Sequence, residues 1–332
     1  MIIDDDLTFH EHAMEKLNQC NQTWGLIKHT TSRNRGLNTR SLTYLFKTVV
    51  VTKILYAGVV WLYPNLDKFT SLWNKTILKI SGAIVNPHHE ITEIALQLPP
   101  LEIQLEIFAV KFLCKCLTSN DIMTNIIYQI DGSLGSDLHF QIKSLKDFMT
   151  WKLQKRNRRE IELLDEQVST AANYSQSDME KYTKEIWMKR TYNRCLMRNR
   201  LSCHDNTICE AIKNKSIDIS KSSYLFRNGS SRYMDTRVMD FVHGSSDRFQ
   251  GFMNSAYNSP YLMCNYCNSD WDSPEHQLLY CEKLDDPTRL KLLEIFQEPF
   301  NIAQSIIFEG NAYLYDLLYK RVLFIDSVQL DI

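Results

Sequence analysis

Cys264, Cys267, His276 and Cys281 follow the spacing Cys-x2-Cys-x8-His-x4-Cys. Four soft or borderline ligands within eighteen residues are what a closed tetrahedral zinc site needs. The Cys-x2-Cys knuckle lets one tight turn present two thiolates, and the His-x4-Cys pair fits a helix or loop beginning nearby. With all four positions filled by protein, the set reads as a structural centre; a catalytic zinc would need an open coordination position. The alternative is a group of reduced core or surface thiols, but the order and density of the four favour bound Zn2+. The other cysteines form no second set. Cys114 and Cys116 lie in an apolar helical stretch and are expected as buried packing residues. Cys20, Cys195, Cys203 and Cys209 are scattered, and Cys203-His204 lacks a second close pair.

A chain of 332 residues is long for one core and suggests two or three domains. Only 10 glycines and 8 prolines argue against a sandwich or barrel. The nine cysteines, an odd number, fit a reducing compartment better than a disulfide framework. No secretory signal is visible at Met1-Ile2-Ile3-Asp4-Asp5-Asp6. The most apolar stretch, Leu42 to Leu66, carries Lys47 and Lys53, and its uncharged part of 13 residues is too short for a bilayer. A soluble intracellular protein, nuclear or cytoplasmic, is therefore expected. The net charge of −1 is unevenly spread. Residues 143–200 carry 14 bases against 8 acids, whereas residues 201–332 carry 12 bases against 18 acids. A nucleic-acid partner would meet the middle segment and selected basic loops, not the whole surface.

The elements that must position these groups read as helices, so the fold class is mainly α. Phe9, Ala13, Leu17, Cys20 and Trp24 give a helical stripe over residues 9–28. Asn38-Thr39 suits a cap for a second helix running to about Trp61, with a strand as the alternative at the β-branched run Val49-Val50-Val51. Leu66, Phe69, Leu72, Trp73, Thr76, Ile77 and Ile80 predict a third helix ending near Gly82. Leu101 to Leu117 predicts a further helix, apolar on most faces and so buried. Residues 119–140 read as loop, 141–166 and 178–201 as basic helices, and 287–296 and 302–322 as helices. The expected organisation is a helical domain over 1–119, a basic helical connector over 120–200, and a C-terminal domain over 201–332 stapled by the knuckle at 264–281.

Several of these residues also resemble a known family. Ile3-Asp4, Leu7, Phe9 and His12 are similar to the segment that follows the palm in reverse transcriptases of non-LTR (LINE-type, jockey-like) retrotransposons. The runs Thr39-Arg40-Ser41-Leu42, Tyr44-Leu45-Phe46-Lys47, Ile54-Leu55-Tyr56-Ala57 and Val60-Trp61 resemble the family's thumb helices, as do Leu72, Asn74-Lys75 and Leu78-Lys79. Elements of this class often end in a Cys-Cys-His-Cys motif, which Cys264, Cys267, His276 and Cys281 match, with Glu275-His276-Gln277-Leu278-Leu279 in the expected form. Arg237 and His243-Gly244 resemble the family's upstream stretch. The resemblance covers 1–119 and roughly 235–295.

The resemblance implies a thumb-like domain over 1–119, with the end of the palm at 1–8, and a parent protein that is an RNA-directed DNA polymerase. The paired palm aspartates of that family have no match here, so no catalytic residue is assigned and fingers and palm are expected elsewhere. Asp4-Asp5-Asp6 reads as a turn or cap. Ile130-Asp131-Gly132-Ser133 is similar to the opening of ribonuclease H domains, for which Glu160, Glu162 or Glu166 could supply a second carboxylate; a plain turn is the favoured reading.

The function implied is binding of RNA or an RNA/DNA template–primer duplex without polymerase catalysis by this chain. Lys28, Arg33, Arg35 and Arg40, around the loop between the first two helices, are the expected phosphate contacts of the thumb. Lys152, Lys155, Arg156, Arg158 and Arg159 form a second candidate set, against ordinary solvated charge in both cases. Trp151 and Trp187 could stack on bases, but packing is the favoured role. The alternative function is a zinc-stapled helical protein-interaction module, or a non-functional truncated element product.

Overall fold

The computed structural model describes residues 9–32, 35–82, 89–119, 143–148, 150–151, 175–196, 231–243, 263–268, 276–295 and 312–330. Among these residues the protein is mainly α, and none forms a strand. Long-range contacts divide it into two compact units, each built from separated stretches of chain.

The first unit comprises Met1–Trp24, Phe46–Trp73 and Pro99–Thr191. Helix α1 spans His10–His29, and of its expected stripe Phe9, Ala13, Cys20 and Trp24 are buried. The second expected helix is broken into pieces: α2 (Thr39–Leu45), which belongs to the second unit, and then a π turn (Phe46–Val51), α3 (Thr52–Leu55) and α4 (Gly58–Trp61). The widened π turn coincides with the β-branched run at 49–51, whose branched Cβ atoms crowd a regular α turn. The helix stops at Tyr56 because Ala57 adopts a left-handed conformation, φ 52°. The Trp61 indole then takes the Tyr56 carbonyl at 3.0 Å. Helix α5 (Leu66–Ser81) follows directly, with Phe69, Leu72, Trp73, Ile77 and Ile80 buried as its stripe requires.

Aromatic rings join these pieces. Trp24 meets Phe46 edge-on at 5.4 Å, Phe46 meets Trp73 at 5.5 Å, and Trp61 meets Phe69 at 5.7 Å. Each such pair contributes about 0.5–1.5 kcal/mol beyond the area it buries. Pro99 and Pro100 lead into α7 (Leu101–Ser119); the short α6 (His89–Ala95) before them belongs to the second unit. As expected, α7 is buried on most of its length, from Leu101 through Cys114. Helix α8 (Gln176–Leu196) places Tyr182 against Phe148 and Trp151, at 5.0 and 5.4 Å. Glu106 of α7, 4% exposed, accepts from Tyr182 and faces Arg190. Burial pushes the Glu106 carboxyl up from the usual range, and the Arg190 charge opposes that shift.

The second unit comprises Gly25–Leu45, Asn74–Leu98 and Tyr192–Ile332. Helix α9 (Arg232–His243) supplies capping groups to two helix ends. Arg232, 2% exposed, donates to the Lys79 and Ile80 carbonyls, which belong to the last turn of α5 and lack helical partners. It also donates to Thr39 Oγ1 at 3.1 Å. Asp235 accepts from the Thr39 backbone N–H at 3.0 Å, at the start of α2. The predicted cap is present there too: Asn38 Oδ1 accepts from the Ser41 N–H at 2.8 Å. The end of α5 needs Gly82, whose φ is 77° and whose added Cβ would stand 2.1 Å from Thr236 Cγ2. Helices α10 (Pro287–Ile295) and α11 (Ala312–Leu330) complete the unit and pack on each other.

A candidate metal centre closed by two turns

The first pair of ligands sits on a single turn. The Asn268 N–H bonds the Cys264 carbonyl at 2.8 Å, and Asn268 takes a left-handed φ of 55°, so the chain reverses over five residues. The N–H groups of Tyr266 and Cys267 point at the Cys264 sulfur and favour its thiolate form.

The second pair sits on a π turn, His276–Tyr280. The Cys281 N–H bonds the His276 carbonyl at 2.7 Å, an i to i+5 closure. On a regular α-helix, residues five apart point about 140° away from each other. The π turn brings them onto one side, which is what a His-x4-Cys pair needs to share an ion. Leu278 and Leu279 inside the turn are fully buried and anchor it. After Cys281, a 3-10 turn (Glu282–Leu284) directs the Lys283 and Leu284 N–H groups at the Cys281 sulfur.

The four ligand atoms lie within 4.8 Å of one another. Cys264 Sγ and Cys281 Sγ are 3.8 Å apart, and Cys267 Sγ is 3.2 Å from His276 Nε2. Two sulfurs at about 2.3 Å from one tetrahedral zinc stand about 3.8 Å apart, so the cysteine pair already has that spacing. The same distance is far beyond the roughly 2.05 Å of a disulfide, and all three cysteines are free thiols. Cys264, His276 and Cys281 are buried, while Cys267 is partly exposed. Burial pushes the Cys264 thiol up to about 12 and raises the Cys281 thiol as well. A dication among the three sulfurs would reverse that balance and hold them as thiolates. The residues thus fit a closed zinc centre. Among the described residues, no other group of three or more His, Cys, Asp or Glu has metal-holding geometry.

The basic candidates divide. Lys28 in the last turn of α1, Arg35 in the following loop and Arg40 in the first turn of α2 are all exposed. Lys79 at the end of α5 is half-buried and lies near Lys28: burial lowers its pKa first, and the charges of Arg232 and Lys28 lower it further. Nothing in the spacing of the sequence singles out Lys79, whose like-charged neighbours arrive from distant chain. Arg33 lies outside the described residues, as do Lys152, Lys155, Arg156, Arg158 and Arg159. So do Asp4-Asp5-Asp6, Ile130 to Ser133, Glu160, Glu162 and Glu166.

Both tryptophans offered for base stacking pack instead. Trp187 is 3% exposed, and Trp151 lies among Phe148 and Tyr182 with its indole N–H on Glu185. Cys114 is buried as expected. Arg237, 3.5 Å from Asp326, and Tyr233, whose hydroxyl donates to the same carboxylate, tie α9 to α11. Among the described residues no helix is long and apolar enough to cross a membrane. The chain matches no known protein family, no curated protein and no solved structure.

Proposed function

We propose that this chain is a zinc-stapled, nucleic-acid-binding region of a retrotransposon-type reverse transcriptase, gripping RNA or an RNA/DNA duplex without polymerising. The observation that carries the reading is the closed Cys264–Cys267–His276–Cys281 set. Its spacing matches the family's terminal motif, and its ligand atoms converge as a structural zinc site requires. The exposed Lys28, Arg35 and Arg40, with Lys79 beside Lys28, support a phosphate-facing surface on a thumb-like element. Zinc here supplies order: it ties two turns together, and with four protein ligands it offers no position for substrate.

The test is anisotropy of a labelled RNA/DNA hybrid across a salt series. The logarithm of affinity should fall by about 0.9 per phosphate neutralised for each unit of log salt. Replacing Lys28, Arg35 and Arg40 together by Ala should reduce that slope by about 3. Salt-independent binding, or a slope untouched by the triple variant, would overturn the phosphate reading. Primer extension by the purified chain with dNTPs and Mg2+ would overturn the non-catalytic part. A protein-interaction module is the second reading. It is favoured by Met263 and Tyr280, which flank the metal ligands and are 55% and 49% exposed.

A further inference from the structure

Arg321 lies in the middle of α11, forty residues after Cys281, yet it is 0% exposed. A guanidinium buried to that degree requires partners for its five donors. They come almost entirely from the segment that bears the second ligand pair. Nη2 donates to the Gln277 carbonyl at 2.8 Å, and Nε to the Leu278 carbonyl at 2.9 Å. These are the two residues directly after His276. Nη1 donates to the Leu284 carbonyl, three residues after Cys281, and to Asp286 Oδ1 at 2.6 Å. One planar fork therefore spans the segment from the π turn through the 3-10 turn, with a ligand just before its first contact and another between its contacts.

We infer that Arg321 is a positioning residue of the metal centre: it presets the turns that carry His276 and Cys281 so that both reach the knuckle of Cys264 and Cys267. This rests on the zinc reading above. Geometry carries the role, and charge adds to it. Three thiolates and a neutral imidazole around Zn2+ leave a net charge of −1, and a buried anion needs a nearby cation. Arg321 provides it from within electrostatic reach of Cys281. Asp286, which pairs with the same guanidinium at 2.6 Å and also caps α10 by accepting from the Arg289 N–H at 3.0 Å, offsets part of that charge, so the bracing of the turns is the larger share of the role. Lysine cannot replace the fork, since a point charge cannot bridge three carbonyls lying in different directions.

The experiment uses the full chain and Zn2+ itself, with competition against a chromogenic chelator, and Co2+ substitution as a spectroscopic probe of the ligand field. Arg321→Met is expected to weaken zinc affinity by about 10- to 100-fold, the usual effect of losing an outer-sphere partner. Arg321→Lys keeps the charge and should recover only part of that loss, with the Co2+ d–d bands displaced from those of the parent. Asp286→Asn leaves the carbonyl contacts in place and should change affinity less than either. If Arg321→Met fails to fold, the lysine variant decides. Parental zinc affinity and an unaltered Co2+ spectrum in a folded Arg321→Lys protein would overturn the inference while leaving the zinc centre intact. A parent chain that binds neither metal at the four ligands would overturn both.

Discussion

Replacing Cys264 by Ser removes one thiolate while keeping the turn that presents it. The Asn268 to Cys264 backbone bond and the N–H groups of Tyr266 and Cys267 survive the change, so the loss reports on the metal. Structural zinc sites of this kind are worth about 10–16 kcal/mol at neutral pH. Divided over four ligands, that is about 2.5–4 kcal/mol each, or a 10²- to 10³-fold weaker affinity. The consequence for stability follows by mass action. With free zinc buffered at a hundred times the parent dissociation constant, the metal adds about 2.7 kcal/mol. In a variant weakened a hundredfold, zinc then stands at its dissociation constant and adds only about 0.4 kcal/mol. The second unit should therefore lose about 2 kcal/mol in the variant at that zinc level, and the parent should lose a similar amount on chelation. Zinc stoichiometry by native mass spectrometry should give one ion per parent chain. Hydrogen exchange over His276–Leu284 and α11 should rise in the variant. A parent chain without zinc, or a Cys264→Ser protein that keeps one zinc at parental affinity, would refute the reasoning.

Because burial raises the Cys264 and Cys281 thiols, each gives up a proton when zinc binds near neutrality. With Cys267 making the third thiolate of the set, three protons leave per zinc bound, so affinity should rise by about a thousandfold per pH unit near neutrality, and a flat profile in chelator competition counts against the site. The sign reverses for the metal-free protein. Folded-state thiol pKa values above the ordinary 9.0 mean that stability is fully present below pH 9 and declines as pH rises toward 12, which alkaline denaturation of the chelated protein checks. Gly82→Ala meets both a positive φ and the Thr236 methyl, so a loss of about 2–3 kcal/mol is expected; adding Thr236→Ala should restore only the steric part, as read by urea midpoints. Arg190→Met strands the buried Glu106 carboxylate and should cost about 3 kcal/mol, whereas Arg190→Met with Glu106→Gln should cost clearly less; equal losses would contradict the pairing. Phe46→Ala opens the ring chain between Trp24 and Trp73 and should cost about 3–5 kcal/mol in thermal unfolding of the first unit.

Local periodicity was enough to place α1, α5 and α7, because a buried stripe repeats every three or four residues and needs no knowledge of its partner. The Cys264–Cys267–His276–Cys281 cluster was legible for a similar reason: its residue types are rare together and their spacing short. The interrupted second helix was not. Its stretch from Thr39 to Trp61 carries no proline or internal glycine strong enough to announce a break before Gly58, and the left-handed Ala57 has no sequence signature. The π turn under His276 is a comparable case. Its five-residue spacing is visible, but the closure that makes the spacing useful is a backbone hydrogen bond.

What the sequence determined by itself, then, is the helical class, the buried stripes and which four Cys and His residues converge. Only the tertiary structure decided which buried cations cap which helices. Arg232 reads in the sequence like any other arginine, yet it closes the end of α5 from more than 150 residues away. Nothing in the sequence sets Arg321 apart from other helical charges, yet it is fully enclosed and donates to the Gln277, Leu278 and Leu284 carbonyls. The physical reason is common to both. A buried guanidinium needs acceptors for its donors, here mostly unpaired backbone carbonyls, and where those carbonyls come to lie depends on how distant segments pack.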